Sequence, residues 1–359
     1  EEVSPHALHD ILEARFSNPD RITHTAGTIE TSGLLSANFH LPPLEQITNT
    51  APAPPTPWIQ LTNQPKPDPE RHEYVTQVSN LCYYPHQWVF RRHVGLVKSP
   101  ILSVARDNTL NGNLGHRLLE LLFKEEGVLN WDRPTLDQWI ETTGHGLLPL
   151  EGSTLLMYGR EPERRSFFRT LKSAAWTLLH HLNTNNWQVE APEHSIEGTI
   201  CSLPFRGRAD LVLKRGEEHL IIDFKWRGFN YHRDMLRNEE DIQMALYSKF
   251  LGDPDKWAHT AYFMLQGGRM LAYNQEAISG AETPPTPSSI HDVYPRIFEK
   301  ITKTLQWRLD QFQDGFLEIR SSQTAKELDA YYGGALMEML EMRDGDAGFD
   351  DYVTLLGGK

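Results

Sequence analysis

Two side chains of opposite charge stand two residues apart at the end of an apolar segment. Asp223 and Lys225 follow the segment that begins at Leu220. On a strand, side chains two apart point to the same face, so Asp223 and Lys225 share a face while Ile222 and Phe224 enter the core. A carboxylate in such a segment is costly unless it meets a cation. The spacing therefore predicts that the carboxylate and the ammonium meet in one site.

A second carboxylate is expected beside the first. Asp210 lies in a strand-like segment from Gly207 to Leu213, and a Gly-containing turn separates it from the segment that carries Asp223. This pattern predicts a hairpin, in which cross-strand neighbours can reach one ion. Two converging carboxylates suit Mg²⁺ or Mn²⁺. Such an ion polarises a phosphodiester and activates water, which Lys225 can orient, so these residues favour phosphodiester hydrolysis.

Two pairs of helix residues could add to this site. His116 and Glu120 are four residues apart in the predicted helix 113–123, where the imidazole could complete a metal site. Gln243 and Tyr247 have the same spacing in the predicted helix 239–251 and offer an amide and a phenol to a DNA strand. Each pair taken alone also fits an ordinary polar helix face.

Basic and aromatic residues predict a surface for nucleic acid. Arg91 and Arg92 follow the aromatic-rich segment 79–88, a combination that can stack bases and neutralise phosphates. Arg208 and Arg227 flank the acidic strands and give a local positive rim. The formal net charge of the whole chain is -13. That charge argues against binding through the global field, so we expect a local basic cleft instead.

The elements that must position these residues form a mixed α/β chain. Helices are predicted at 113–123, 162–182, 239–251 and 297–312, and strands at 207–213, 219–225 and 261–265. Segment 41–70 holds nine of the 23 prolines and predicts an extended arm, preceded by a short helix at 4–15.

Four motifs follow one another in a known order. They are Gly115-His116 with Glu120, Gly207 to Asp210, Asp223-Phe224-Lys225-Trp226, and Gln243 to Tyr247. In order and spacing they resemble the PD-(D/E)XK nucleases of the RecB and AddB type, over roughly residues 74–320. The resemblance implies a restriction-endonuclease-like core, in which helices flank a central mixed β-sheet. It also implies a metal-dependent deoxyribonuclease, with exonuclease action on DNA ends or single strands favoured, in repair, recombination or defence.

The resemblance implies roles for individual residues as well. The catalytic residues would be Asp210, Asp223 and Lys225. The ligands of the metal ion would be His116, Asp210, Asp223 and the carbonyl oxygen of Phe224. Gln243 and Tyr247 would guide the DNA strand.

One departure from the family pattern concerns cysteine. Many AddB-type domains hold an iron–sulfur cluster on four cysteines, whereas here Tyr84 stands before Pro85 and the chain has only Cys82 and Cys201. We therefore expect no iron–sulfur cluster. Members of the family are often fused or bound to helicases, and this chain has no Walker-type loop. The expected partner is a helicase subunit or domain outside the sequence.

Composition indicates the cellular location and the division of the chain into domains. No apolar segment approaches the roughly 18–20 residues of a membrane helix, and with two cysteines and no secretory signal the expected location is the cytoplasm. We predict an N-terminal helix and Pro-rich arm at 1–73, a nuclease domain at 74–320 and a C-terminal helical tail at 321–359. Because the first residue is Glu1, the chain is expected to be part of a longer protein.

Two other functions fit the sequence. A DNA-binding or scaffold module that keeps the fold without turnover would explain the net charge of -13 and the Pro-rich arm, although Asp210, Asp223 and Lys225 are all present. A hydrolase of another phosphodiester, such as RNA or a nucleotide signal, would use the same residues.

Overall fold

The β-sheet at the centre of the fold mixes parallel and antiparallel strands. The computed structural model describes residues 58–62, 65, 71–97, 107–252, 256–285, 289–319, 324–333, 338–340, 350–352 and 355. The predicted helix at 4–15 and most of the Pro-rich segment 41–70 lie outside these residues. The strands are β1 (Trp58–Gln60), β2 (Glu73–Tyr74), β3 (Gln188–Ile200), β4 (Leu203–Arg215), β5 (Glu218–Lys225), β6 (His259–Met264), β7 (Arg269–Leu271) and β8 (Phe316–Glu318).

Strand β4 lies at the junction of the main sheet. Five of its six strands follow the order β2-β4-β5-β6-β7, and the sixth, β3, pairs with β4. The β2–β4 and β5–β6 pairs are parallel, and the β3–β4, β4–β5 and β6–β7 pairs are antiparallel. Strands β4 and β5 form the predicted hairpin, in which Gly216 adopts a positive φ of 62° in the turn.

Helices cover both faces of the sheet. They are α1 (Val75–Tyr83), α2 (Pro85–Trp88), α3 (Asp107–Leu122), α4 (Arg133–Glu151), α5 (Glu161–Thr184), α6 (Phe229–Arg237), α7 (Ile242–Leu251), α8 (Ile290–Gln313) and α9 (Ala325–Tyr332). No helix among the residues that the structure describes is long and apolar enough to cross a membrane.

The alternation of side chains along β5 divides the interior into two cores. Leu220, Ile222 and Phe224 pack with buried residues of α3, α4 and α5. Ile221 packs on the opposite face with buried residues of α1, α7 and α8. Since Asp223 and Lys225 are in phase with Ile221, they lie on the α7 face of the strand. The predicted fold class, a central mixed sheet flanked by helices, is confirmed.

Helix boundaries depend on capping residues that apolar spacing does not reveal. Helix α7 begins at Ile242, three residues after the predicted start, because the Asp241 side chain accepts a hydrogen bond from the Met244 N–H and caps the helix. Helix α8 begins at Ile290, earlier than predicted, and Ser289 is its N-cap. Helix α4 and strand β3 are not among the elements predicted from the sequence.

Contacts between distant parts of the sequence close the fold beside α2. Strand β1 pairs antiparallel with β8. The His86 Nε2 atom lies 2.9 Å from Asp350 Oδ2, and both side chains are buried. The Tyr352 hydroxyl donates a hydrogen bond of 2.7 Å to the Leu96 carbonyl oxygen. Residues near 350 therefore form part of the packing around α2.

Candidate active site

The candidate site lies where β4 and β5 separate, a place that we call the fork. Their backbone pairing runs from Arg215 and Glu218 to Leu211 and Ile222 and ends there. One position further, the carboxylate of Asp210 takes the place of a backbone partner, since its Oδ2 accepts a hydrogen bond of 2.6 Å from the Phe224 N–H. The other carboxylate oxygen of Asp210, Oδ1, takes no part in this bond and faces the His116 imidazole.

Asp223 is the most deeply buried acid of the fork, with 6% of its side chain exposed. Its Oδ1 accepts a hydrogen bond of 2.9 Å from Gln243 Nε2, and its Oδ2 lies 2.6 Å from Lys225 Nζ. One carboxylate oxygen therefore meets the amide of Gln243 and the other meets the ammonium of Lys225. Strand β5 and helix α7 thus bring together three of the predicted site residues.

Burial and pairing have opposite effects on the charged groups of this pair. Burial raises the pKa of Asp223 above that of an ordinary carboxyl group, although the charge of Lys225 partly offsets the effect. Burial alone would lower the pKa of Lys225, but the charge of Asp223, the hydrogen bond to it and the charges of neighbouring acids together outweigh burial and raise that pKa. The lysine is therefore held in its charged form beside the carboxylate.

His116 reaches the fork from the other face of the sheet. Its Nδ1 lies 3.3 Å from Asp210 Oδ1, and its ring meets the Phe224 ring edge-on with centroids 6.0 Å apart. Burial lowers the pKa of His116, but hydrogen bonding to Asp210 and the charge of that acid outweigh it, so the net pKa is raised. The structure therefore places the imidazole, the two carboxylates and the ammonium in one cluster.

Tyr247 supports the strand beside the fork. Its hydroxyl donates a hydrogen bond of 3.0 Å to the Arg208 carbonyl oxygen, and burial raises its pKa to about 12. Gly207 lies against the same ring, since a Cβ atom at this position would be 2.3 Å from Tyr247 Cε1. The glycine of the second motif is thus required by the close approach of α7 to β4.

We expect Gly207→Ala to destabilise the protein by about 1–3 kcal/mol, the usual cost of overpacking a filled interior. The new methyl group must displace the Tyr247 ring, which is buried. Urea denaturation measures the free energy of unfolding. Gly146→Ala is the matched control, because a Cβ atom there meets nothing within 4 Å and the residue lies inside helix α4. Equal stability of Gly207→Ala and wild type would contradict this packing.

A cleft of about 530 Å³ opens beside the fork. Its lining includes His116, Lys225 and the guanidinium-bearing residues Arg117, Arg208 and Arg227. Arg208 is largely exposed and forms an ion pair with Glu193, with Nη1 3.1 Å from Oε2. The predicted positive rim at Arg208 and Arg227 thus lies at the cleft.

Three predicted residues are arranged differently. Glu120 lines the cleft, but its carboxylate binds Arg117 at 2.7 Å and also pairs with Lys124. Arg92 donates a hydrogen bond of 3.1 Å to Glu73, an acid that Trp88 also binds. Neither Arg91 nor Arg92 is among the described residues that line the cleft. The structure therefore brings neither arginine to the fork.

Comparison with known families agrees with this geometry. The family model described as the PD-(D/E)XK nuclease superfamily matches residues 75–330, which is more than half of the chain. The chain belongs to the PD-(D/E)XK nuclease superfamily. A search of curated proteins gave no match. Nucleases of this superfamily typically use a divalent metal ion such as Mg²⁺ or Mn²⁺.

The donor atoms at the fork fit such an ion by chemical type. Two carboxylates and one imidazole converge, and one oxygen of the buried Asp223 has the mobile ammonium of Lys225 as its neighbour. Hard divalent cations prefer oxygen ligands of this kind. Within the described residues, however, no group of three or more His, Cys, Asp or Glu side chains is spaced as a ready-made metal site. The Phe224 N–H, Gln243 and Lys225 contact the carboxylates instead.

Sequence reasoning missed one acid of this nuclease fold, Asp241. It is fully buried, its Oδ1 accepts hydrogen bonds from the Met244 N–H at 3.2 Å and the Tyr262 hydroxyl at 2.9 Å, and its Oδ2 has no partner. It thereby fixes the start of α7, which carries Gln243, against β6. The preceding Asn238-Glu239-Glu240 resembles a solvated loop, so only the position of Asp241 one residue before an apolar helix could have indicated its role.

We expect Asp241→Asn to change how stability depends on pH. Burial raises the Asp241 pKa to about 7, so the folded protein keeps a proton that the unfolded chain releases near its ordinary value. In the wild type this contribution is complete below the unfolded pKa and is lost as pH rises toward 7. Asparagine can still accept both hydrogen bonds but does not titrate. The stability of Asp241→Asn relative to wild type should therefore rise by about 2–3 kcal/mol between pH 5 and pH 7.

The measurement is urea denaturation at both pH values, with Asp241→Ala as the companion variant. Alanine removes the cap and should be destabilising at either pH. Parallel stability curves for wild type and Asp241→Asn would show that Asp241 is ionised throughout this range.

Proposed function

We propose that this chain is a metal-dependent deoxyribonuclease that hydrolyses phosphodiester bonds. One observation carries the proposal: in a chain of the PD-(D/E)XK superfamily, Asp210, Asp223 and Lys225 meet at the fork of β4 and β5 beside a cleft whose lining includes arginines. Lys225 lines that cleft while Asp223 lies behind it, an arrangement in which a phosphate in the cleft would meet the ammonium.

In this proposal the carboxylates of Asp210 and Asp223, the His116 imidazole and the Phe224 carbonyl oxygen would hold Mg²⁺ or Mn²⁺. The ion, when bound, supplies Lewis acidity and lowers the pKa of a coordinated water. Lys225 orients the water and offsets the negative charge that develops on the phosphate oxygens. Gln243 holds Asp223 in place through its 2.9 Å hydrogen bond, so its support for the DNA strand would be indirect.

The cleft also supports DNA as the substrate. Arg117, Arg208 and Arg227 lie on its lining. Glutamates on the same lining pair with Arg117 and Arg208, so phosphates would bind these two arginines by displacing the acids. Tyr247 would act by fixing the backbone of Arg208, to which its hydroxyl binds. Arg91 and Arg92 belong to a separate surface in which Glu73 already binds Arg92, and they would contact only DNA that extends beyond the cleft.

The mode of cleavage, the pathway and the partner are proposed from the resemblance of the four motifs to RecB- and AddB-type nucleases. It favours an exonuclease that acts on DNA ends or single strands in repair, recombination or defence, with a helicase as its partner. The His86–Asp350 contact and the aromatic packing of Phe90 on Tyr352 hold together the region where such domains carry an iron–sulfur cluster.

The test is an incubation of the purified chain with linear and covalently closed DNA, single- and double-stranded, in Mg²⁺, Mn²⁺ or EDTA. Metal-dependent loss of linear DNA alone would establish an exonuclease, and cutting of closed circles would make it an endonuclease. Absence of cleavage with any DNA, RNA or cyclic dinucleotide would overturn the proposed enzyme.

A non-catalytic module that binds DNA is the second candidate. The observation that favours it is the occupation of the Asp210 and Asp223 oxygens by the Phe224 N–H, Gln243 and Lys225. Calorimetric titration with Mn²⁺ separates the candidates, because a scaffold has no need of a metal site. Micromolar binding that is absent in Asp223→Asn supports the enzyme, whereas DNA binding without metal binding supports the module.

A further inference from the structure

A turn with unusual surface chemistry connects α4 and α5. Leu150, Leu156, Met157 and Tyr158 are all exposed, and Leu150 is exposed to 81%. We call these four residues the apolar tip. Single exposed apolar residues are common on proteins, but a concentration of four large ones within nine residues marks a binding surface.

The apolar tip is held firmly in this exposed position. Leu155, in its middle, is buried in the core that also contains Leu114 of α3. Gly152 packs so closely that a Cβ atom would lie 2.8 Å from Leu114 Cδ1. Backbone hydrogen bonds from Leu155 to Gly152 and from Arg160 to Met157 close the turn. The exposed side chains therefore project from an ordered support, which is unfavourable unless something covers them.

The apolar tip adjoins the rim of the cleft at the end of α4. Glu151, which follows Leu150, lines the cleft, and its Oε1 lies 3.5 Å from the Nε atom of Arg117. Arg117 directly follows His116 on α3. Leu114, which supports the tip, lies two residues before His116 on the same helix. Helix α3 thus carries the site histidine and the contacts that position the tip.

We propose that the apolar tip binds the unpaired bases of a single-stranded DNA end whose phosphates occupy the cleft. The inference rests on the proposed function and names its substrate class. The cleft offers basic side chains to phosphates, and the exposed Tyr158 ring of the tip offers an aromatic face to a base, the combination by which proteins bind single strands. A duplex keeps its bases paired inside and offers the tip little apolar surface.

The experiment compares wild type with Met157→Ala/Tyr158→Ala. Both side chains are exposed, so their removal leaves the core intact. Binding is measured in EDTA by fluorescence anisotropy with a 20-nucleotide single strand and a blunt duplex, and 2-aminopurine near the end of the strand reports stacking. We expect the affinity for the single strand to fall about tenfold, as the loss of one stacked base predicts, with loss of the 2-aminopurine signal. Affinity for the duplex should change less than twofold.

The control variant is Tyr331→Ala, which removes an exposed tyrosine of α9 outside the tip and should leave both affinities unchanged. Equal losses for single strand and duplex, or no loss, would overturn the proposal. Unchanged binding combined with loss of self-association in light scattering would identify the tip as a protein interface and also overturn it.

A further assay separates this inference from the proposed function. Thymidine 5′-(p-nitrophenyl) phosphate has no neighbouring bases, so the tip variant should hydrolyse it in Mn²⁺ within twofold of the wild-type rate. If neither protein hydrolyses this ester or DNA, the nuclease proposal fails while the binding data still decide the role of the tip.

Discussion

Lys225→Met is expected to lower the rate of DNA cleavage on the order of 10³-fold, a loss typical of removing one group that stabilises charge in the transition state. Its Nζ lies 2.6 Å from Asp223 and it lines the cleft, so it is placed to act on a phosphate there. Methionine keeps the length of the side chain and removes the charge. Single-turnover kinetics with saturating DNA would measure the chemical step without the contribution of binding.

The controls for Lys225→Met concern metal binding and folding. Calorimetry with Mn²⁺ should show that this variant still binds the ion while Asp223→Asn does not, because only the aspartate is a proposed ligand. Thermal unfolding should show both variants folded. Lys225→Arg tests charge against geometry, since a guanidinium restores the charge but not the compact ammonium. Cleavage by Lys225→Met at the wild-type rate would remove the lysine from the mechanism.

Arg308→Met should destabilise the fold by about 3–5 kcal/mol, the usual cost of leaving one member of a buried ion pair without its partner. The side chains of Arg308 and Glu318 are completely buried, and two guanidinium nitrogens lie 2.9 and 3.2 Å from the carboxylate oxygens. Arg308 Nε also donates a hydrogen bond of 3.0 Å to the Cys82 carbonyl oxygen. The residue therefore joins α8, β8 and α1 in the core.

Two comparisons sharpen this prediction. Arg308→Met/Glu318→Met removes both charges and should recover more than half of the lost stability, because no buried charge remains uncompensated. Arg296→Met breaks the exposed pair with Glu239 and should cost less than about 1 kcal/mol. Urea denaturation of the three variants measures these differences. A cost for Arg308→Met no greater than that for Arg296→Met would mean that the buried pair contributes little.

Local periodicity explains why much of the site could be predicted. The alternation along 219–225 places Asp223 and Lys225 on one face, and the hairpin brings Asp210 to the same end of the sheet. Both inferences could be made because they depend only on residues close in sequence and on the short turn between β4 and β5. His116 and Gln243 were harder, because helical spacing gives a direction within a helix and leaves its docking open. For these two residues the order of the motifs supplied what periodicity could not.

The remaining features depend on tertiary packing. Asp241 is buried only because α7 and β6 meet over it, and a polar loop precedes it in sequence. Arg92 was expected to face DNA, but Glu73 from β2 binds it, and that strand is two residues long. The apolar tip follows from the antiparallel packing of α4 and α5, of which the sequence indicated only α5. In each case a partner distant in sequence determines the environment.

The contact between His86 and Asp350 has a consequence for how the protein is made. The two residues are separated by 264 positions, so the segment around α2 leaves the ribosome long before its buried partner. Until then His86, Trp88 and the rest of this corner lack part of their final cover, and non-local contacts of this kind form slowly. Nascent chains expose such surfaces to aggregation, which is the condition that chaperones bind. We therefore expect this corner to fold last during synthesis, and a chain released before Asp350 to retain an open, aggregation-prone surface beside α2.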